Sequence, residues 1–181
     1  MGRKISCKME SDMGAAADTL MSREGAADRF NYDPQELLPL QVEAVNERFQ
    51  ERRDRIKLLA MRANEAGIAQ VASLEQVVPL LFPHTAYKSY PESYLSEGKW
   101  DRLTKWLGTV SPYPIEIDTT GIADIDEWIA RLEAAGHYVS ASSGTTGKSA
   151  MLIASDKDMA WSQLDTVAVF AWGSGVIPNK D

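Results

Sequence analysis

His137-Tyr138-Val139-Ser140-Ala141-Ser142, then Ser143-Gly144-Thr145-Thr146-Gly147-Lys148-Ser149, then Ala150-Met151-Leu152-Ile153-Ala154-Ser155 is the stretch on which the fold turns. Its flanks carry Tyr138, Val139, Met151, Leu152 and Ile153 and read as two short strands, His137 to Ser142 and Ala150 to Ser155. Between them, Gly144 and Gly147 allow positive φ and close approach of a ligand to the backbone, while Ser142, Ser143, Thr145 and Thr146 bring hydroxyl donors. Successive backbone N–H groups in such a turn make an anion-binding nest, and Lys148 adds a mobile cation. A triphosphate is the natural guest.

Two rival readings compete for these residues. Gly147, Lys148 and Ser149 spell the end of a Walker loop, GxxxxGK followed by Ser or Thr, but Ser142 stands where its first glycine belongs. A Walker loop must also feed a helix whose N-terminus holds the phosphates, whereas Ala150 to Ile153 continues as an apolar, strand-like run. The blander rival is a Ser/Thr/Gly-rich hairpin turn with no ligand, in a non-catalytic interaction module. Density of donors and the lysine at the exit weigh against it.

The loop Ser142, Ser143, Gly144, Thr145, Thr146, Gly147, Lys148 resembles the phosphate-binding signature of the adenylate-forming superfamily, which includes acyl-CoA synthetases and luciferases. Lysine directly after the second glycine is similar to the phenylacetate-CoA ligase and acyl-protein synthetase branch, whose loop commonly reads SSGTTGKP followed by Thr; Ser149 stands in place of that proline. In the broader pattern, ending TGxPK, Ala150 stands where the last lysine would be, so the cation role falls to Lys148 alone. The resemblance covers residues 38 to 175, and only the loop is specific.

The resemblance implies an α/β fold with helices packed around a sheet, the N-terminal portion of an adenylate-forming enzyme. It implies ATP and Mg2+ as cofactors, a small carboxylic acid as substrate, and an acyl-adenylate captured by coenzyme A or a protein thiol. The seven loop residues would bind the nucleotide, with Lys148 as the catalytic cation that stabilises charge on the departing pyrophosphate. The family's adenine-binding motifs and C-terminal lysine would lie beyond Asp181, so the expected enzyme is an acid–thiol ligase that needs the rest of its chain to complete adenylation.

Working outward, Asp156 to about Trp172 reads as a helix capped by Ser155 or Asp156. Upstream, Ile122 to Ala135 places Ile125, Trp128, Ile129 and Leu132 on one stripe closed by Gly136, and Glu97 to Leu107 aligns Trp100, Leu103, Trp106 and Leu107 before Gly108. Ser73 to Gln76 matches a capping box for a short helix ending before Pro79 or soon after, and irregular chain carries Tyr87, Tyr90 and Tyr94. One arginine-rich helix is expected from Leu40 to Ala66, stopped by Gly67; Glu47, Glu51 and Asp54 interleave with Arg48, Arg52, Arg53 and Arg55, which favours ion pairs along a solvated face. Residues 1 to 33 show no sustained period and are expected to form a flexible tail, with residues 34 to 181 as the partial adenylate-forming domain.

Composition narrows the classes further. The 181 residues carry a net charge of -7, which argues against neutralising many phosphates along a nucleic acid. One cysteine, Cys7, allows no internal disulfide, and with His84 and His137 it makes a four-ligand zinc site implausible. No apolar run approaches the roughly 20 residues needed to cross a bilayer, so a cytoplasmic protein with no membrane partner is expected. Met1-Gly2-Arg3-Lys4-Ile5-Ser6 meets the minimal myristoylation pattern, which is short enough to arise by chance.

Overall fold

A computed structural model describes residues 14–24, 31–142 and 148–176, without the side chains of Met21, Glu24, Leu164, Ala168 and Trp172. Helix dominates: α1 (Ala15–Glu24), α2 (Pro34–Arg53), α3 (Lys57–Glu65), α4 (Ser93–Ser96), α5 (Trp100–Leu107), α6 (Ile125–Ala134) and α7 (Asp156–Ser174), with 3-10 turns at Leu74–Leu80 and Ala86–Lys88. Among the described residues the sheet has two antiparallel strands, β1 (His137–Ala141) and β2 (Met151–Ser155), in register from His137 opposite Ser155 to Ala141 opposite Met151. The expected mixture of helix and strand is present, weighted heavily to helix.

The main core forms where α5 and α6 meet beneath this hairpin. Trp100, Leu103 and Leu107 recur at helical spacing on α5, Trp128 and Leu132 on α6, and all five are buried with Tyr90, Val110, Ile122 and Met151. The two tryptophans stack with centroids 6.2 Å apart. Their indole N–H groups are both satisfied, Trp100 donating to the Ile122 carbonyl at 3.0 Å and Trp128 to Thr104 Oγ1 at 2.9 Å. A buried indole is tolerated because its polar edge finds such a partner.

Local signals set most boundaries here. Asp124 Oδ1 accepts from Glu127 N at 2.9 Å, so α6 starts at Ile125, slightly later than the apolar stripe alone indicates. Gly136 ends it with a φ of 80°. The Glu97-to-Leu107 helix is shorter than expected, because Gly98, with a φ of 61°, separates α4 from α5. Ser155 and Asp158 form a reciprocal capping box at the start of α7. At Ser73 the matching pattern opens a 3-10 turn in which the serine makes no cap bond.

The arginine-rich stretch is two helices, not one. The chain breaks at residues 54–56, and α3 folds back so that Phe49 of α2 and Ala63 of α3 join Val71 and Leu80 in a second buried cluster. A straight helix would hold Phe49 and Ala63 about 20 Å apart; burial against a common core favours the break. The helix also begins earlier, at Pro34, with Asp33 Oδ1 accepting from Gln35 N at 2.9 Å. The arginines pair as charge interleaving indicates: Arg48, Arg52 and Arg55 all reach Glu51, at 2.8, 3.5 and 3.6 Å, and Arg53 reaches Asp54.

Of residues 1 to 33, expected as a flexible tail, residues 1–13 and 25–30 lie outside the described residues, whereas Ala15–Glu24 form α1. Ala16 and Ala17 are buried against Ala44, and Glu47 accepts from the N–H groups of both, at 3.2 and 3.1 Å. A carboxylate from another helix thus supplies the N-terminal cap that the local sequence lacks. Among the described residues, no helix is long and apolar enough to cross a membrane.

Candidate functional site

The loop begins and ends on β1 and β2. Ser142 closes its neck with two bonds to Ala150: its N–H donates to the Ala150 carbonyl at 3.0 Å, and its Oγ accepts from the Ala150 N–H at 2.9 Å. These bonds extend the ladder one pair beyond Ala141 and Met151 and bring the loop's two ends together. Ser143, Gly144, Thr145, Thr146 and Gly147, expected to bind nucleotide, lie outside the described residues.

Lys148 is described, and its ammonium is engaged. Its Nζ donates to the backbone carbonyl of Tyr90 and lies 4.4 Å from the centroid of the Tyr90 ring. The same tyrosine's hydroxyl donates to the Ser149 carbonyl at 2.8 Å. One residue therefore grips two successive positions at the loop's exit. Tyr90 itself has no exposed surface, and the Trp106 ring meets it edge-on at 4.8 Å. Trp106 Nε1 donates in turn to Ser89 Oγ at 2.9 Å, which steadies the segment carrying Tyr90. Burial, and then the Glu92 carboxylate, push the Tyr90 hydroxyl above its ordinary pKa, so it stays a proton donor at neutral pH.

Nothing in the local pattern around Tyr90 marks it for this position, since it lies 58 residues before Lys148. From the sequence it falls in irregular chain. The signal was only its place among aromatic residues that a core would claim, and the core does claim it.

The chain downstream of Lys148 enters β2, and α7 starts only at Asp156. No helix N-terminus opens at Lys148 and Ser149, where a Walker loop requires one to complete its phosphate cradle. His84 is exposed, and His137 is buried with an Nδ1 that has no hydrogen-bond partner among the described atoms. Neither touches Lys148 or Ser142 in any contact described. Cys7 lies outside the described residues. Among the described residues, no three His, Cys, Asp or Glu side chains gather to hold a metal ion.

Among the cavities lined by described residues, two open ones lie apart from Ser142 and Lys148. One of about 670 Å3 runs between α2 and residues 70–75, and one of about 450 Å3 is lined by Arg55, Gly108 and the Ser111–Pro114 turn. Neither includes Ser142, Lys148 or Tyr90 in its walls. No family model, curated protein or solved structure matches the chain.

Proposed function

We infer that this chain supplies the phosphate-holding part of an ATP-dependent carboxylate-activating ligase of the adenylate-forming kind. The observation that carries the reading is the pinched neck at Ser142 and Ala150, which joins two antiparallel strands on either side of the Ser/Thr/Gly-rich run, with Lys148 at its exit. A run of Ser, Thr and Gly between two such strands is the composition from which anion-binding nests are built, and the lysine would add charge where the leaving pyrophosphate gathers it. The strand after Lys148 favours this reading over a P-loop NTPase.

In this role the acid's carboxylate attacks the α-phosphorus of ATP, pyrophosphate departs to leave an acyl-adenylate, and a thiol such as that of coenzyme A takes the acyl group with release of AMP. Lys148 and the loop act on the departing phosphates; none of them is a nucleophile. Magnesium would travel with the nucleotide.

Titration calorimetry with Mg-ATP on the wild-type chain and on Lys148→Ala tests the assignment. Measurable binding that weakens about tenfold in the variant is expected, the scale of one charge-assisted contact of about 1.4 kcal/mol. Absence of binding by the wild type, or equal binding by both, returns the loop to the status of a plain turn.

A further inference from the structure

We propose that Tyr90 is a positioning residue for Lys148, holding the ammonium in the unliganded protein and surrendering it when an anion arrives. The proposal rests on the phosphate-holding assignment of the loop and adds a residue distant in sequence that governs its cation.

Three contacts converge on one side chain and its own backbone. The Tyr90 carbonyl accepts from Lys148 Nζ, the Tyr90 ring faces that ammonium at 4.4 Å, and the Tyr90 hydroxyl holds the Ser149 carbonyl at 2.8 Å. The first two occupy the charge; the third fixes the backbone from which the lysine springs. Ring faces attract ammonium ions through their quadrupole, more strongly when water is excluded, and Tyr90 is fully buried.

A lysine anchored this way differs from one waving in solvent. Its stem is ordered before ligand binds, so less rotamer freedom remains to be lost when it meets a phosphate. The hold must also be weaker than the bond that replaces it. A neutral carbonyl and a π-face satisfy that condition, because a doubly charged phosphate outbids both, whereas a carboxylate partner would compete on equal terms. Among the contacts described for Lys148, none is to an acidic side chain.

The hydroxyl and the ring have separable roles. Tyr90→Phe keeps the ring and the backbone carbonyl but frees Ser149, so the ammonium stays held while the strand entry loosens. The substitution leaves the buried packing against Trp106 nearly intact, which keeps the variant folded.

The test is NMR on the full chain, following the side-chain methylene signals of Lys148, assigned by their loss in Lys148→Ala, during titration with Mg-ATP and separately with sodium pyrophosphate. In the free protein those signals are expected at the upfield position given by an aromatic face. They should persist there in Tyr90→Phe and move to ordinary lysine positions as either anion binds. Affinity for both anions should fall about three- to tenfold in Tyr90→Phe, the scale of one hydrogen bond.

An unshifted Lys148 signal in the free protein overturns the proposal. So does a signal that stays ring-shifted while anion binding is detected calorimetrically, or a Tyr90→Phe affinity equal to wild type; in these cases the phosphate assignment itself survives. If the signal is ring-shifted and neither anion binds at all, the phosphate assignment fails and the exchange of partners fails with it, an outcome recognised by its own pattern.

Discussion

The Gly136 carbonyl accepts a hydrogen bond from the Asp156 N–H at 3.1 Å, joining the end of α6 to the start of α7 across the mouth of the hairpin. Here the glycine is required twice over. Its φ is 80°, and a Cβ added to it would stand 2.6 Å from Asp156 Oδ2. Gly136→Ala is therefore expected to destabilise the protein by about 2 kcal/mol, from backbone strain together with displacement of the carboxylate. A lowered urea midpoint with unchanged slope is the expected result; an unchanged midpoint would show that the junction relaxes freely.

Trp128 is fully buried, stacked on Trp100 and bonded to Thr104. Trp128→Phe should cost about 2 kcal/mol through the smaller ring and the lost N–H donor, and Trp128→Ala about 3–5 kcal/mol. Chemical denaturation followed by far-ultraviolet circular dichroism gives both values. The larger loss would leave little of the marginal stability usual for a chain of this size.

Glu47 binds α1 through the amides of Ala16 and Ala17. Replacing it with alanine removes two acceptors, and a loss of about 1 kcal/mol is expected, localised to α1. Hydrogen exchange should accelerate in residues 15–24 while β1 and β2 keep their protection. Uniform acceleration across the chain would contradict such a local role.

Stability should fall at both ends of the pH range. Asp118 is held below its ordinary pKa first by the Thr120 amide, and Glu127 first by the Ala123 amide and then by Arg131. Depressed folded-state values stabilise the protein above the unfolded pKa of about 4, and that contribution is lost as pH drops through the folded values. The tyrosines act in the opposite sense. Tyr138 is raised by its hydrogen bond to Asp156, Tyr87 by burial, and Tyr90 by burial and then Glu92. Their contribution is complete below about pH 10 and declines as pH rises from there through the folded values. Denaturant midpoints measured from pH 3 to 11 should form a plateau with two falling flanks, and Tyr138→Phe should soften the alkaline one.

The two strands flanking the loop, the glycine stop at Gly136, a helix cap at Ser155 or Asp156 and the self-pairing arginines of α2 were all legible from the amino-acid order. Each depends on neighbours within a few positions: alternating apolar residues, a missing Cβ, a hydroxyl within reach of the next turn, charges at helical spacing. The same locality made Ser142 and Lys148 stand out, because a run of donors, two glycines and a lysine is conspicuous without any partner.

Tertiary structure decided what those local rules leave open. Residues 15–24 have no strong period, yet they are helical because Glu47, some 30 positions away, caps them and Ala44 receives their small side chains. The chain breaks at residues 54–56 because Phe49 and Ala63 gain more by meeting Val71 and Leu80 than by continuing one helix. Tyr90 reaches Lys148 only because the core that buries Trp100, Leu103 and Trp128 also draws Tyr90 beneath β2. Residue order alone thus determined the run of donors and glycines that ends in a lysine; burial shared between distant segments determined which residue meets that lysine.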